Sequence, residues 1–183
     1  MAGKNSSTRF NARLQQPRDA GEANPWAFVV LPKEISAALP RRGRTSVAVV
    51  LNDYRFETFL EPDGQKSHWL AVDQQQLEAS GVSVGSEACL EVTALDKELE
   101  PELPDDLAKA LAAAPAAQAT WDATTTVARI DWIHWVVSAK QQATRAKRIH
   151  DACDMLASGK KRVCCFDPSG FYSKAFSAPE AAS

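Results

Sequence analysis

Basic side chains that could bind an anion are concentrated in one part of the chain. From Lys140 to Arg162 the sequence contains seven Lys or Arg residues and two Asp residues, a local charge of about +5. Guanidinium groups can hold a carboxylate or a phosphate with paired hydrogen bonds. Because residues three or four positions apart are neighbours on a helix, several of these side chains share one face. This face carries Lys140, Thr144, Lys147 and Arg148, with Arg145 on one flank, and we predict that a ligand binds through Lys140, Thr144, Arg145 and Arg148.

The same charges have a second interpretation, in which they are structural. Residues 96–106 hold six Asp or Glu residues and one Lys, so an acidic connector precedes the basic segment. Most charge runs lie on a solvated surface. In that case Arg145 or Arg148 would pair with the acidic connector, and the sequence leaves both interpretations open.

Tryptophans near the basic segment could supply apolar walls for a ligand. The chain has five Trp residues, and Trp132 and Trp135 are only three positions apart, so they cannot both be buried equally against one partner. Ligand clefts form preferentially where domains meet. We predict a cleft between two modules with Trp26, Trp132 and Trp135 as its walls. The alternative is that these rings pack in the core.

No catalytic motif stands out. His134 has no second histidine or carboxylate at metal-ligand spacing, and Cys164-Cys165 lacks the Cys-x-x-Cys pattern of redox sites. Gly-rich phosphate loops and nucleophile elbows are also missing from the sequence. We therefore predict no cofactor, no metal and structural or exposed histidines. A hydrolase or thiol enzyme that uses His134 or Cys164 ranks last among the functional hypotheses.

The composition favours a cytoplasmic globular protein. Among 183 residues, 21 Lys or Arg stand against 23 Asp or Glu, which excludes a strongly basic nucleic-acid coat. No stretch approaches the roughly 20 apolar residues of a membrane span, and residues 1–14 contain no apolar signal core. The four cysteines form no repeating frame, so reduced thiols are expected.

The first half of the chain predicts a small β-barrel. Alternating or continuous apolar runs predict short strands near residues 10–14, 26–31, 45–51, 54–60, 67–72 and 88–94, separated by turns such as Asn52-Asp53. One or two helical turns are expected over Asp73–Ser80, ending at Gly81. Six or so short strands without a long crossover helix indicate a barrel.

The second half predicts a helical module. An Ala-rich helix over Asp105–Ala114 is closed by Pro115, and one long helix then runs from Thr124 to Gly159. The fold class is therefore α+β. We predict a disordered tail at 1–8, a β-barrel domain at 9–97, a helical module at 98–160 and an irregular tail at 161–183. The predicted buried stripe of the long helix comprises Trp132, Val136, Ala139, Ala143, Ala146, His150, Cys153 and Leu156.

Several segments in order resemble a bacterial family, the YdeI/OmpD-associated or bacteriocin-protection proteins. The strongest are Asp131-Trp132-Ile133, Ser138-Ala139-Lys140 and Ala143–Ile149, which match the family's C-terminal helix, and the resemblance extends over Phe10 to Arg162. The chain departs from it at Asn52-Asp53, where the family usually has Asn-Gly, and at Gly85-Ser86, where Gly-Asp is common. The resemblance implies an N-terminal β-barrel domain of unknown function, a helical module and an association with resistance to antimicrobial peptides.

Two functional hypotheses follow besides the enzyme. The leading one is a cytoplasmic protein that binds a small molecule or peptide with anionic groups, with a role in tolerance of antimicrobial peptides implied by the resemblance. The second is a nucleic-acid-binding protein that uses the basic helix face, although the overall acidity argues against it. The sequence does not determine the oligomeric state.

Overall fold

The computed structural model of the chain describes residues 6–20, 25–164 and 166–182. Two compact units are distinguished. The first comprises the described residues up to Lys97 and those from Ser169 onward, and the second is Glu98–Pro168. Residues 1–5 of the predicted disordered tail lie outside the described residues, and the first strand begins at Thr8.

The first unit is an antiparallel sheet that closes almost completely on itself. Its strand order is β1-β6-β3-β4-β5-β2. Beyond the edge strands, Gln15 and Phe28 exchange two backbone hydrogen bonds of 2.9 Å, which join the end of β1 to β2. This confirms the predicted small barrel. The strands are β1 (Thr8–Arg13), β2 (Ala27–Val30), β3 (Thr45–Leu51), β4 (Tyr54–Pro62), β5 (His68–Val72) and β6 (Glu87–Ala94), with helices α1 (Lys33–Ala37) and α2 (Gln74–Ser80) between them.

Local sequence explains the barrel's turns and interior. β3 and β4 form the predicted hairpin, in which Asn52 adopts a left-handed conformation (φ 45°) that Asn tolerates better than most residues. Asp73 and Gln76 form a reciprocal capping box at the start of α2, and Gly81 ends it with φ 70°. The barrel core contains the fully buried Leu14, Val47, Val49, Leu51, Leu60, Leu70, Val72 and Leu90.

The second unit consists of helices packed around an aromatic and aliphatic core. The helices are α3 (Asp105–Ala112), α4 (Pro115–Ala123), α5 (Thr126–Val137) and α6 (Gln142–Ala157). The hydroxyl of Thr125 caps α5 by accepting from the Ala128 N–H at 3.2 Å. The core includes Leu107, Leu111, Ala117, Trp121, Trp132, Ile133, Val136, Ile149, Ala152 and Leu156. No helix among the described residues combines the length and apolar character that a bilayer crossing needs.

The prediction of one continuous helix from Thr124 to Gly159 is wrong. The chain leaves the helix at Ser138, and Gln141 is extended (φ −111°, ψ 144°) before α6 begins. The predicted stripe loses its phase at this break, so Ala143, Ala146 and His150 are exposed. The face of α6 that is buried instead carries Ile149, Ala152 and Leu156.

Pro115 also acts differently from the prediction. It begins α4 rather than only closing the preceding helix. Proline suits this position because the first N–H groups of a helix have no partner inside it. The Ala-rich pattern therefore continues as a second helix up to Ala123.

The C-terminal segment packs on the barrel although it forms no regular helix or strand. A bridge pairs Pro17 with Ala181, and the Ala182 N–H donates to the Gln16 carbonyl at 2.7 Å. An ion pair between Arg18 and Glu180 lies beside them. The segment thus belongs structurally to the first unit.

One polar cluster is buried inside the barrel unit. His68 is 1% exposed, and its Nε2 lies 2.8 Å from the Gly43 carbonyl oxygen, which can only accept. Nε2 therefore carries the proton, and Nδ1 accepts from the Ser36 hydroxyl at 2.6 Å. Burial lowers the pKa of His68 from its usual value, and the Gly43 carbonyl opposes this only in part.

This cluster predicts a pH dependence of stability. As the pH falls below about 6.5, the unfolded chain takes up a proton on His68 that the folded chain resists. The free energy of unfolding should fall with a slope of up to about 1.4 kcal/mol per pH unit from this residue. We expect His68→Gln to be less stable at pH 7.5 by about 1–3 kcal/mol and to lack this slope, as measured by urea unfolding from pH 7.5 to 5. His150→Gln, at an exposed histidine, is the matched control, and an unchanged slope in His68→Gln would contradict the prediction.

Candidate functional site

Arg145 is held by a carboxylate of the acidic connector. Its Nε and Nη2 donate to Asp106 Oδ2 and Oδ1 at 2.7 and 3.1 Å, so the pair is bidentate. The hydrogen bond from Arg145 lowers the pKa of Asp106, and the same bond raises the pKa of Arg145. Arg145 therefore links α6 to the first turn of α3. Arg145 thus makes the pair with the acidic connector that the structural interpretation of the basic segment predicts.

Arg148 also has a structural role within the helical unit. Its Nη1 donates to the Trp135 carbonyl oxygen at 2.6 Å and to the Ser138 hydroxyl at 3.1 Å. The guanidinium carbon also lies 5.6 Å from the centre of the Trp135 ring, in cation–π contact. The last carbonyls of a helix lack intrahelical partners. Arg148 thus caps the end of α5 and holds α6 against it.

A second bidentate pair was not predicted from the sequence. Arg129 Nε and Nη2 donate to Glu100 Oε1 and Oε2 at 2.6 and 3.1 Å, and Nη1 reaches the Thr124 carbonyl at 2.6 Å. The bond with Glu100 raises the pKa of Arg129. No sequence spacing relates the two residues, so only the excess of acid in the connector hinted at such a partner. The acidic connector therefore neutralises two arginines of the helical unit.

The other predicted residues of this unit are only partly brought together. Trp132 is completely buried and donates from Nε1 to the Lys161 carbonyl at 3.1 Å, so it offers no surface to a ligand in this structure. The half-buried Trp135 meets it edge-on, with 6.2 Å between ring centres. Lys140 is exposed in the segment between α5 and α6, so it does not continue a helical face with the half-buried Thr144. That Trp135, Lys140 and Thr144 contact a ligand stays a prediction.

Trp26 belongs to a pocket of the barrel unit with the wrong charge for an anion. Its ring centre lies 6.5 Å from that of Trp69. The pocket beside it has a volume of about 490 Å³ and is lined by Asp73 and Glu78 together with Pro25, Gln74 and Gln75. Two carboxylates would repel an anionic ligand.

A different pocket of the barrel unit has the clustered basic side chains that were predicted for the helical module. It has a volume of about 440 Å³, and three of its lining side chains are cations from separate segments: Lys33 of α1, Arg42 before β3 and Lys66 in the β4–β5 turn. Its other lining residues are Ala37, Ser169, Phe171 and Tyr172, and no acidic residue is among them. We call it the basic pocket.

The cations of the basic pocket contrast with the arginines of the helical unit. No ion pair joins any of the three to a carboxylate within the described residues, and the Lys66 ammonium group lies 4.6 Å from the centre of the Phe171 ring. Clustered like charges without counterions raise the local positive potential, and an anion would relieve their repulsion. Sequence analysis missed this site because its cations come from three separate segments and its aromatic residues lie more than a hundred positions after them.

Of the two residues considered for catalysis, His134 is buried and Cys164 is exposed. His134 is 6% exposed and meets Phe166 edge-on at 5.8 Å. Burial raises the pKa of Cys153, which disfavours its reactive thiolate. Cys89 and Cys153 are free thiols, and Cys165 lies outside the described residues.

The geometry of Arg148 predicts a loss of stability when it is replaced. Arg148→Met removes the donor to the Trp135 carbonyl and should cost about 1–3 kcal/mol. For a unit of this size we expect a Tm lower by about 5 °C or more, measured by circular dichroism at 222 nm. Lys147→Met is the control, because its exposed pair with Asp151 should contribute under about 1 kcal/mol. Equal Tm values for the two variants would exclude the capping role.

Comparisons with known proteins agree with this architecture. The family model described as Bacteriocin-protection, YdeI or OmpD-Associated matches residues 100–159, and the model of a Domain of unknown function (DUF1905) matches residues 10–92. The first match covers the helical unit and the second covers the barrel. No curated protein matches the chain. Residues 100–159 thus match the YdeI or OmpD-associated, bacteriocin-protection family, and residues 10–92 match the domain of unknown function DUF1905.

Proposed function

We propose that this protein is a cytoplasmic binding protein whose barrel unit takes up a small anionic molecule, or the anionic group of a peptide, in the basic pocket. The observation that carries the proposal is the set of three cations, Lys33, Arg42 and Lys66, that converge on one pocket without a carboxylate among the lining residues. The helical unit is then a structural module, since Arg145 and Arg148 are used in its own contacts.

The size and composition of the basic pocket support a small ligand. Its volume of about 440 Å³ falls in the range typical of small-molecule sites, about 300–1,000 Å³. Apolar side chains and a few convergent polar groups are the usual lining of such sites. Here Ala37, Phe171 and Tyr172 supply the apolar part, and the three cations supply the polar part.

The biological role that we propose follows from the family's description. That description names protection against bacteriocins. We propose that ligand binding in the basic pocket is the molecular activity through which this chain contributes to tolerance of antimicrobial peptides. The free thiols of Cys89 and Cys153 are compatible with a reducing compartment.

Neutralising two cations of the basic pocket should weaken anion binding. We expect pyrophosphate, used as a probe, to bind the wild type in a calorimetric titration at low salt and to bind at least about tenfold more weakly to Arg42→Gln/Lys66→Gln. Each charge-assisted hydrogen bond is typically worth about 1.5–3 kcal/mol, and 1.4 kcal/mol corresponds to a factor of ten.

The control for this titration keeps the same change of net charge. Arg55→Gln/Lys97→Gln removes two exposed cations of the barrel unit that do not line the basic pocket. We expect this variant to bind pyrophosphate like the wild type. Equal losses in both double variants would mean that only the overall charge matters, and the proposed site would be wrong.

A growth experiment tests the role in tolerance. In a strain of the protein's own host that lacks the gene, the wild-type gene should restore growth in the presence of a bacteriocin, and Arg42→Gln/Lys66→Gln should not. The Arg55→Gln/Lys97→Gln gene, expressed to the same level, should restore growth. Full restoration by the Arg42→Gln/Lys66→Gln gene would separate tolerance from the basic pocket.

A further inference from the structure

The C-terminal segment gives the basic pocket an aromatic wall. Phe171 and Tyr172 line the pocket with their ring centres 5.1 Å apart and their planes at 78°, an edge-to-face pair. Tyr172 is 86% exposed, far above the other large hydrophobic side chains that reach the surface. Most of the Tyr172 side chain therefore faces solvent, where a planar ligand can contact it.

This wall is held in place by two glycines. Gly64 (φ 70°) lies in the β4–β5 turn, and a Cβ there would collide with the Phe176 carbonyl oxygen. Gly170 (φ 69°) touches Phe176 from its own segment, and a Cβ there would collide with the Phe176 side chain. Both the left-handed backbone and the close approach therefore require glycine. The segment is seated on the turn rather than lying loosely over it.

Lys66 joins the aromatic wall to the charged part of the pocket. Its ammonium group lies 4.6 Å from the centre of the Phe171 ring, within the range of a cation–π contact. The contact fixes the ring next to a charge that has no carboxylate partner in the described chain. The pocket thus presents adjacent surfaces for a ring and for an anion.

We propose that the basic pocket recognises a small ligand in which a planar ring is joined to an anionic group. The ring packs against Phe171 and Tyr172, and the anion lies among Lys33, Arg42 and Lys66. This inference rests on the proposed anion-binding function and adds the ligand class to it. A volume of about 440 Å³ suits one ring with one compact anionic group.

The test compares anions that differ only in the ring. We expect the wild type to bind phenyl phosphate about tenfold more tightly than methyl phosphate in an NMR titration, because aromatic stacking on a protein ring is typically worth a factor of this size. Benzoate and acetate form a second pair, in which the same preference is expected. The relative affinities of phenyl phosphate and benzoate then show whether the pocket prefers a phosphate or a carboxylate.

Removing the rings should remove the preference for the ring-bearing anion. In Phe171→Leu/Tyr172→Leu the affinities for phenyl and methyl phosphate should become equal, because the ring contacts are lost. A retained preference in this variant would overturn the proposal. Equal affinities in the wild type would overturn it too, while leaving the proposed anion-binding function standing. Absence of binding by both phosphates and both carboxylates would reject that function and the inference with it.

A second variant tests the seating of the wall without touching a pocket side chain. Gly64→Ala cannot accommodate Phe176 and should lose the ring preference. Gly85→Ala is its control, because Gly85 also has a positive φ (88°) but a Cβ there meets open space. We expect Gly85→Ala to keep the preference. An unchanged preference in Gly64→Ala, or an equal loss in both variants, would overturn the assignment of this segment as the wall.

Discussion

The close approach of Phe176 to Gly64 is the constraint on which the basic pocket depends. Lys33, Arg42 and Lys66 come from the barrel, but Phe171 and Tyr172 come from a segment more than a hundred residues later. That segment has no regular hydrogen-bonded element of its own, so its position relies on side-chain packing and a few backbone contacts with the barrel. Without the space that glycine leaves, the cations would remain and the aromatic wall would not.

The near-neutral net charge hides two different uses of basic residues. In the helical unit, Arg129 and Arg145 are matched by carboxylates, and Arg148 satisfies the end of a helix. These contacts support helices that are individually short and would be marginal alone. In the barrel unit, none of the cations of the basic pocket has such a partner among the described residues. Local pairing, not the amount of charge, therefore distinguishes a structural basic cluster from a candidate binding site.

Strands, turns and helix caps depend on neighbouring residues and could be predicted from the sequence. Contacts between residues that are distant along the chain could not. The strands and hairpin of the barrel follow from alternation and turn residues, and α2 follows from its capping residues. The break between α5 and α6 contains neither Gly nor Pro, so no local signal predicts it. A contact that stabilises it comes from Arg148, ten residues beyond Ser138. The basic segment is evident in the sequence. Whether Arg145 pairs with Asp106 or binds a ligand depends on the fold, so the sequence could not distinguish the two. The basic pocket had no local signature at all.

The assembly of the pocket from distant segments has a thermodynamic consequence. A ligand that contacts both the cations and the rings binds only when the C-terminal segment is seated on the β4–β5 turn. By linkage, such a ligand would stabilise the seated segment by the same free energy with which seating improves its affinity. An anion without a ring contacts only Lys33, Arg42 and Lys66, so it would neutralise their repulsion without favouring the seated state. The ring of the ligand, rather than its charge, would therefore couple binding to the order of the C-terminal segment.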